Sequence, residues 1–92
     1  MWYLRVLWHH DQPGDPVEYF SEVGDDGWEV RRVQRYRDGR LEWADGTRET
    51  NSVGLSEAPI DFDEIALQAE FGAFVISEAE FEQEWSKASG GN

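Results

Sequence analysis

Gly24-Asp25-Asp26-Gly27-Trp28-Glu29-Val30-Arg31-Arg32-Val33-Gln34-Arg35-Tyr36-Arg37-Asp38-Gly39-Arg40-Leu41-Glu42-Trp43 holds two turn signals with one extended run between them. Asp38-Gly39 is a strong hairpin dipeptide. As a two-residue turn it sets Arg37 opposite Arg40, Tyr36 opposite Leu41, Arg35 opposite Glu42 and Gln34 opposite Trp43. Asp25-Asp26, read the same way, sets Val23 opposite Trp28, Ser21 opposite Val30, Phe20 opposite Arg31 and Tyr19 opposite Arg32. Both registers place Val17, Tyr19, Val23, Trp28, Val30, Tyr36, Leu41 and Trp43 on one face. Glu18, Glu22, Glu29, Arg31, Arg35, Arg37, Arg40 and Glu42 fall on the other, so one face reads as core and one as wet.

Upstream, Trp2, Leu4, Val6 and Trp8 alternate with Tyr3, Arg5, Leu7 and His9, the period of a first strand. Asp11 to Pro16, with two prolines and a glycine, reads as a loop before extended structure resumes at Val17. Downstream, Asp45-Gly46 offers a further turn into a fifth strand over 47–53, which would set Glu49 beside Glu42.

Beyond Pro59 the apolar period changes from two to about 3.6. Asp61 reads as a helix cap with Glu64 as its box partner and Ile60 stapled to Ile65; Phe62, Ile65, Ala66 and Ala69 form the stripe, and Gly72 ends it. Ser77, Glu80 and the Ile76–Phe81 staple repeat that syntax, with Phe81, Trp85 and Ala88 as the second stripe. Phe74 to Ile76 reads as a short edge strand or an extended linker. The expected fold is α+β: an antiparallel sheet of four to five strands with two C-terminal helices packed on one face, leaving the charged face of the sheet open. One domain over residues 1–89 and a frayed tail at 90–92 are expected.

The chain carries 20 acidic residues against 8 basic ones, a formal charge of -12, and five of the eight cations lie between Arg31 and Arg40. Such an excess destabilises a compact state by self-repulsion, so it serves either solubility or a cationic partner. It also opposes binding to a phosphate backbone, which argues against nucleic acid. With no cysteine there is no disulfide framework or thiolate metal site. No export-type apolar segment or membrane span is evident, which points to a cytoplasmic setting. Five Trp, five Phe and three Tyr supply the apolar area of a core that folds without staples.

The residues Leu7-Trp8-His9-His10-Asp11, Pro16-Val17-Glu18-Tyr19-Phe20-Ser21-Glu22, Glu29-Val30-Arg31-Arg32-Val33, Arg37-Asp38-Gly39-Arg40, Glu57-Ala58-Pro59-Ile60 and Ile76-Ser77-Glu78-Ala79-Glu80-Phe81-Glu82 carry a resemblance over nearly the whole chain. The chain resembles a family of small, acidic bacterial single-domain proteins of unestablished function. That resemblance implies a compact domain and transfers no catalytic residue.

Two surfaces stand out as candidate sites. Glu78 and Glu80 suit a helix dipole, but Glu82 and Glu84 follow at four-residue spacing with Lys87 alone to answer them, so helix stability does not require them. Together with Asp61 and Asp63, the residues Glu78, Glu82 and Glu84 form an anionic surface suited to steering a basic protein. Arg31, Arg35, Arg37 and Arg40 form a basic sheet face, for a partner, an anion or an acidic peptide; a solvated checkerboard of Glu and Arg, with Phe20 over Arg31, is its plain structural reading. His9-His10-Asp11 gives no metal site, because neighbours on a strand point to opposite faces and the chain has no third histidine. All five tryptophans suit the core, whereas Tyr3 and Leu7 would anchor a partner if their side of the first strand were open. No cofactor and no enzymatic constellation is expected. The functional expectation is a monomeric, non-enzymatic acidic protein-binding domain, in its sharpest form a bacterial immunity or inhibitor protein docking a basic partner. The alternative is an anion- or peptide-binding module using the arginines, and a third possibility is a subunit of a larger assembly.

Overall fold

Both turn signals close as three-residue loops, and this single extra residue reorganises the faces of the sheet. Gly24 N–H bonds Trp28 C=O (2.9 Å) around Asp25-Asp26-Gly27, and Tyr36 N–H bonds Arg40 C=O (2.9 Å) around Arg37-Asp38-Gly39. In each loop the glycine takes a left-handed conformation, Gly27 at φ 85° and Gly39 at φ 92°, the usual closure of a three-residue hairpin. In each, the aspartate before it accepts from the backbone N–H two residues on, Asp26 from Trp28 (3.0 Å) and Asp38 from Arg40 (2.9 Å).

The computed structural model describes residues 1–47, 54–56 and 59–90. The fifth strand read from sequence over 47–53 lies, after Thr47, outside the described residues. The elements are β1 (Trp2–Trp8), β2 (Glu18–Val23), β3 (Glu29–Arg35), β4 (Leu41–Ala44), α1 (Phe62–Ala66), β5 (Phe71–Ile76) and α2 (Glu78–Ser89). The five strands form one antiparallel sheet in the order β4-β3-β2-β1-β5. The class is α+β, as the sequence pattern indicates.

Register decides which side chains share a face. In the β2–β3 hairpin the longer loop and a bulge at Glu22/Val23 each add one step, giving Phe20 opposite Val33 and Glu22 opposite Arg31. Two steps preserve the sidedness of most of β3, but Glu29 changes sides. In the β3–β4 hairpin the loop alone adds one step, so Trp43 lies opposite Val33 and Leu41 opposite Arg35. A one-residue slip flips a whole strand. Leu41 and Trp43 therefore join Tyr3, Phe20 and Val33, while Glu42 turns to the other side.

That combination builds an apolar strip through the face on which Arg31 and Arg35 stand, and α2 covers it. Tyr3, Phe20, Val33 and Phe81 are buried together, with Leu41, Trp43, Ile76, Trp85 and Ala88 packed around them. Phe81 is fully buried, and Trp85 stacks with it (6.3 Å between centroids) while meeting Trp43 edge-on (5.3 Å). The arginine face of the sheet is thus roofed by α2. The expectation of an open charged face is corrected on this point: the arginine stems cross an apolar strip that a helix must bury. The opposite face carries Leu4, Val6, Val23 and Ala44, all buried. There Ile60 and Ile65, before and within α1, line a cavity with Leu4, Val6, Trp8, Tyr19 and Phe71. The structure refines the helical layer accordingly, with α2 on one face and α1 at the other.

α2 starts where its sequence indicates and ends at a glycine that the sequence pattern left in the tail. Ser77 Oγ accepts from Glu80 N–H (3.1 Å), and Gly90 closes the helix at φ 77°. α1 keeps its cap, Asp61 accepting from Glu64 N–H (3.1 Å), but ends at Leu67 after little more than a turn. Gln68 N–H returns to Ile65 C=O and Phe71 N–H to Gln68 C=O, turning the chain straight into β5. Gly72 is therefore a strand residue, not a helix stop. A Cβ there would stand 3.4 Å from Phe74 Cε2, so the glycine makes room for the Phe74 ring lying along the strand.

Candidate functional site

The arginines of β3 bind inward. Arg31 grips Glu22 with Nε to Oε1 (2.6 Å) and Nη2 to Oε2 (3.0 Å), and grips Glu82 of α2 with Nη1 to Oε1 (3.1 Å) and Nη2 to Oε2 (2.7 Å). Its guanidinium stacks against Phe81 and Trp85, 4.9 Å from each centroid. Tyr3 completes the cluster, donating to Glu22 (3.0 Å) and Glu78 (3.2 Å). Glu22 is 6% exposed. The Arg31 hydrogen bonds hold its carboxyl below the usual glutamate range, although burial works the other way. Burial and then the Glu22 hydrogen bond push the Tyr3 hydroxyl up to about 12.

A second chain of charges runs beside the first. Arg5 and Arg35 flank Glu18, and Arg35 Nη2 also binds Glu84 (2.9 Å), which Lys87 approaches at 3.2 Å. Arg35 Nε lies 3.2 Å from Glu18 Oε1 but off line, so it is an ion pair by distance and a buried donor without a hydrogen bond. Arg35 rather than Arg31 sits over Phe20, at 5.4 Å. Glu82 and Glu84 are thus answered from the sheet: they are the clamps by which α2 holds β3.

The face turned toward α1 has its own polar chain. Glu29 accepts from Ser21 Oγ (2.6 Å), Arg32 Nε (3.0 Å) and Ser56 N–H (2.8 Å), and Glu42 accepts from Tyr36 Oη (2.6 Å). Both glutamates are buried, whereas the sequence pattern set them on a wet face with Arg31. The loop and bulge that shift the register are the cause.

Of the expected basic site, Arg31 and Arg35 are taken up internally, and Arg37 and Arg40 remain exposed at the hairpin end. Arg37 donates to His10 C=O (2.7 Å) and Arg40 lies over the Tyr36 ring (4.2 Å). Of the expected acidic site, Asp61, Asp63 and Glu78 are exposed, while Glu82 and Glu84 are half-buried against arginines. Glu64, Glu70 and Glu80 are exposed as well, although the sequence reading did not place them in the site.

Tyr3 is buried and Leu7 half-buried, so neither forms an open anchor. Trp28, expected in the core, is 44% exposed at the first hairpin loop. His10 is spent on its loop: Gln12 N–H donates to Nδ1 (2.9 Å), so Nε2 carries the proton and donates to Pro16 C=O (2.7 Å). Among the described residues no group of three or more His, Asp, Glu or Cys side chains is arranged to hold a metal ion. No helix among them is long and apolar enough to cross a membrane.

The exposed apolar side chains gather elsewhere. Leu67 is 86% exposed, Val75 65% and Phe74 48%, on β5 and the turn leading into it. β5 is an edge strand with β1 as its neighbour. The sequence reading allowed an edge strand over Phe74 to Ile76 but gave it no role; the uncharged run Phe71-Gly72-Ala73-Phe74-Val75-Ile76 between Glu70 and Glu78 is the signal that marks it.

Residues 2–90 match the family model of the domain of unknown function DUF6881, and the chain belongs to that family. No curated protein and no solved structure matches the chain.

Proposed function

We propose that the chain is a non-enzymatic, acidic protein-binding domain that docks a basic partner, in its sharpest form as a bacterial immunity or inhibitor protein acting on a cationic toxin. The observation that carries the reading is how the charges divide. Arg5, Arg31, Arg32, Arg35 and Lys87 are matched with glutamates of the sheet and α2. In a chain of formal charge -12 the unmatched negative charge is therefore external: Asp61, Asp63, Glu64, Glu70, Glu78 and Glu80 lie around α1, β5 and the start of α2, and Asp11, Asp15, Asp26 and Asp38 stand exposed in the loops. An external field of one sign raises the encounter rate with a protein of the other sign and rejects like-charged partners.

The test begins with affinity purification at low salt and elution at high salt, followed by stopped-flow association of the purified pair. Replacing Asp63, Glu64 and Glu70 by lysine should slow association by about tenfold or more at low ionic strength and leave it nearly unchanged at high salt. Equal rates for both proteins at low salt, or a captured partner that is not basic, would refute the reading.

A further inference from the structure

We infer that the free edge of β5 is a docking strand for an extended basic segment of a partner protein, which adds to the sheet as a sixth strand. The inference rests on the proposed function for the charge of the partner. The geometry of the strand supplies the mode of binding.

Trp8 N–H bonds Val17 C=O and His9 N–H bonds Glu70 C=O (2.8 Å). Hydrogen-bonded pairs alternate along an antiparallel ladder. In the β1–β5 register, which sets Leu7 opposite Gly72 and Arg5 opposite Phe74, residues 70, 72, 74 and 76 therefore turn their N–H and C=O groups toward β1. Phe71, Ala73 and Val75 turn theirs outward. Phe71 N–H is used by Gln68 C=O, whereas no described residue bonds the outward groups of Ala73 and Val75. Those two residues offer two donors and two acceptors at the spacing of a strand.

Soluble proteins blunt such an edge with lysine, proline, a bulge or a covering segment. Phe71-Gly72-Ala73-Phe74-Val75-Ile76 has no charge and no proline, and its pairing with β1 is regular. Phe74 and Val75 are exposed on opposite faces of it. A strand laid along Ala73 and Val75 would cover both with one pair of adjacent apolar residues, one on each face.

Charge selects the occupant. Glu70 stands at one end of the strand, Glu78 and Glu80 stand at the other, and all three are exposed. A segment with lysine or arginine at both ends and two apolar residues between them complements this edge. A second copy does not. It would bring the exposed Glu70, Glu78 and Glu80 of one chain up to those of another, between two chains of charge -12 each.

The probe is the labelled peptide KKTVVTKK, followed by fluorescence anisotropy, with EETVVTEE and KKTVPTKK as controls. Val75→Pro removes one outward donor and no ladder hydrogen bond, as an edge position allows. The prediction is that wild type binds KKTVVTKK at least about tenfold more tightly than either control, and that Val75→Pro weakens binding by about tenfold or more while a thermal melt shows it folded. Should Val75→Pro fail to fold, Val75→Lys keeps the backbone donor and sets a like charge against the peptide, with the same loss expected at low salt.

Equal binding of KKTVVTKK by wild type and the folded Val75 variant would overturn the edge strand while leaving the acidic reading intact. Failure to bind KKTVVTKK by a protein that still binds a basic partner would do the same. Sedimentation showing a wild-type dimer that Val75→Pro converts to a monomer would assign the edge to a second copy and overturn the basic segment.

Discussion

Arg31→Met tests the joint between sheet and helix. Arg31 holds two carboxylates of unequal worth: Glu22 is buried, whereas the Glu82 side chain is 44% exposed. Losing the Glu82 contact removes little, because solvent screens such pairs to under about 1 kcal/mol. Losing the Glu22 contact strands a buried charge, which typically destabilises by about 3–5 kcal/mol. The lower end applies, since Tyr3 Oη still donates to Glu22 and the methionine stem still packs on Phe81 and Trp85. A loss of about 3 kcal/mol corresponds to a fall in Tm of roughly 12–24 °C in a domain of this size.

Urea unfolding followed by tryptophan fluorescence measures it, since Trp43 and Trp85 touch at this joint. The double variant Arg31→Met with Glu22→Gln should recover about 2 kcal/mol, because the stranded charge is gone. Acid supplies a second check. Arg31 lowers the folded-state pKa of Glu22, so between its folded and unfolded values the unfolded chain binds more protons. The pair's contribution is complete above the ordinary glutamate value of about 4.3 and is lost as pH falls through the folded value. The gap between wild type and Arg31→Met should therefore narrow below about pH 4. A cost under about 1 kcal/mol at pH 7, or a gap unchanged in acid, would refute the reasoning.

Ser77→Ala should lower stability by about 1 kcal/mol in the same assay through loss of the α2 cap; an unmoved urea midpoint would mean that the cap adds nothing. Gly39→Ala should cost about 1–3 kcal/mol from backbone strain alone, since φ is 92° and no atom lies within 4 Å of the added Cβ. Gly14→Ala, with equally open surroundings and no positive φ, should change stability by under about 0.5 kcal/mol; equal effects at the two sites would contradict the left-handed turn.

Local signals in the sequence translated well into local structure. Asp61 and Ser77 mark helix starts, and both Asp-containing turns close hairpins where the sequence places them, whereas the helix stop at Gly90 was not legible in a tail expected to fray. The faces were less legible, because Asp-Gly is compatible with loops of two or three residues and the choice is invisible in the dipeptide itself. One residue at Gly39 carries Trp43 to the other side of the sheet, and with it the helix that must bury that tryptophan. The extra residue of the first loop moves Glu29 the same way, and the bulge at Glu22/Val23 returns Arg31 and the rest of β3 to the side the pattern gives them.

The charge pattern misled for a related reason. Arg31 and Arg35 form a patch only if nothing packs on them, and the feature that seemed gratuitous in α2, Glu82 and Glu84, is what packs. The edge of β5 was legible as composition, but its exposure depends on strand order, which propensity does not encode.

The most direct measurement is a ¹H–¹⁵N correlation spectrum of the folded chain, with both backbone amides and arginine side-chain Nε–H groups resolved, titrated with KKTVVTKK. Shifts are expected at the amides of residues 70–80, led by Ala73 and Val75, while the Nε–H signals of Arg31 and Arg35 stay where they are beneath α2. Shifts at those two arginines with β5 unmoved would contradict it.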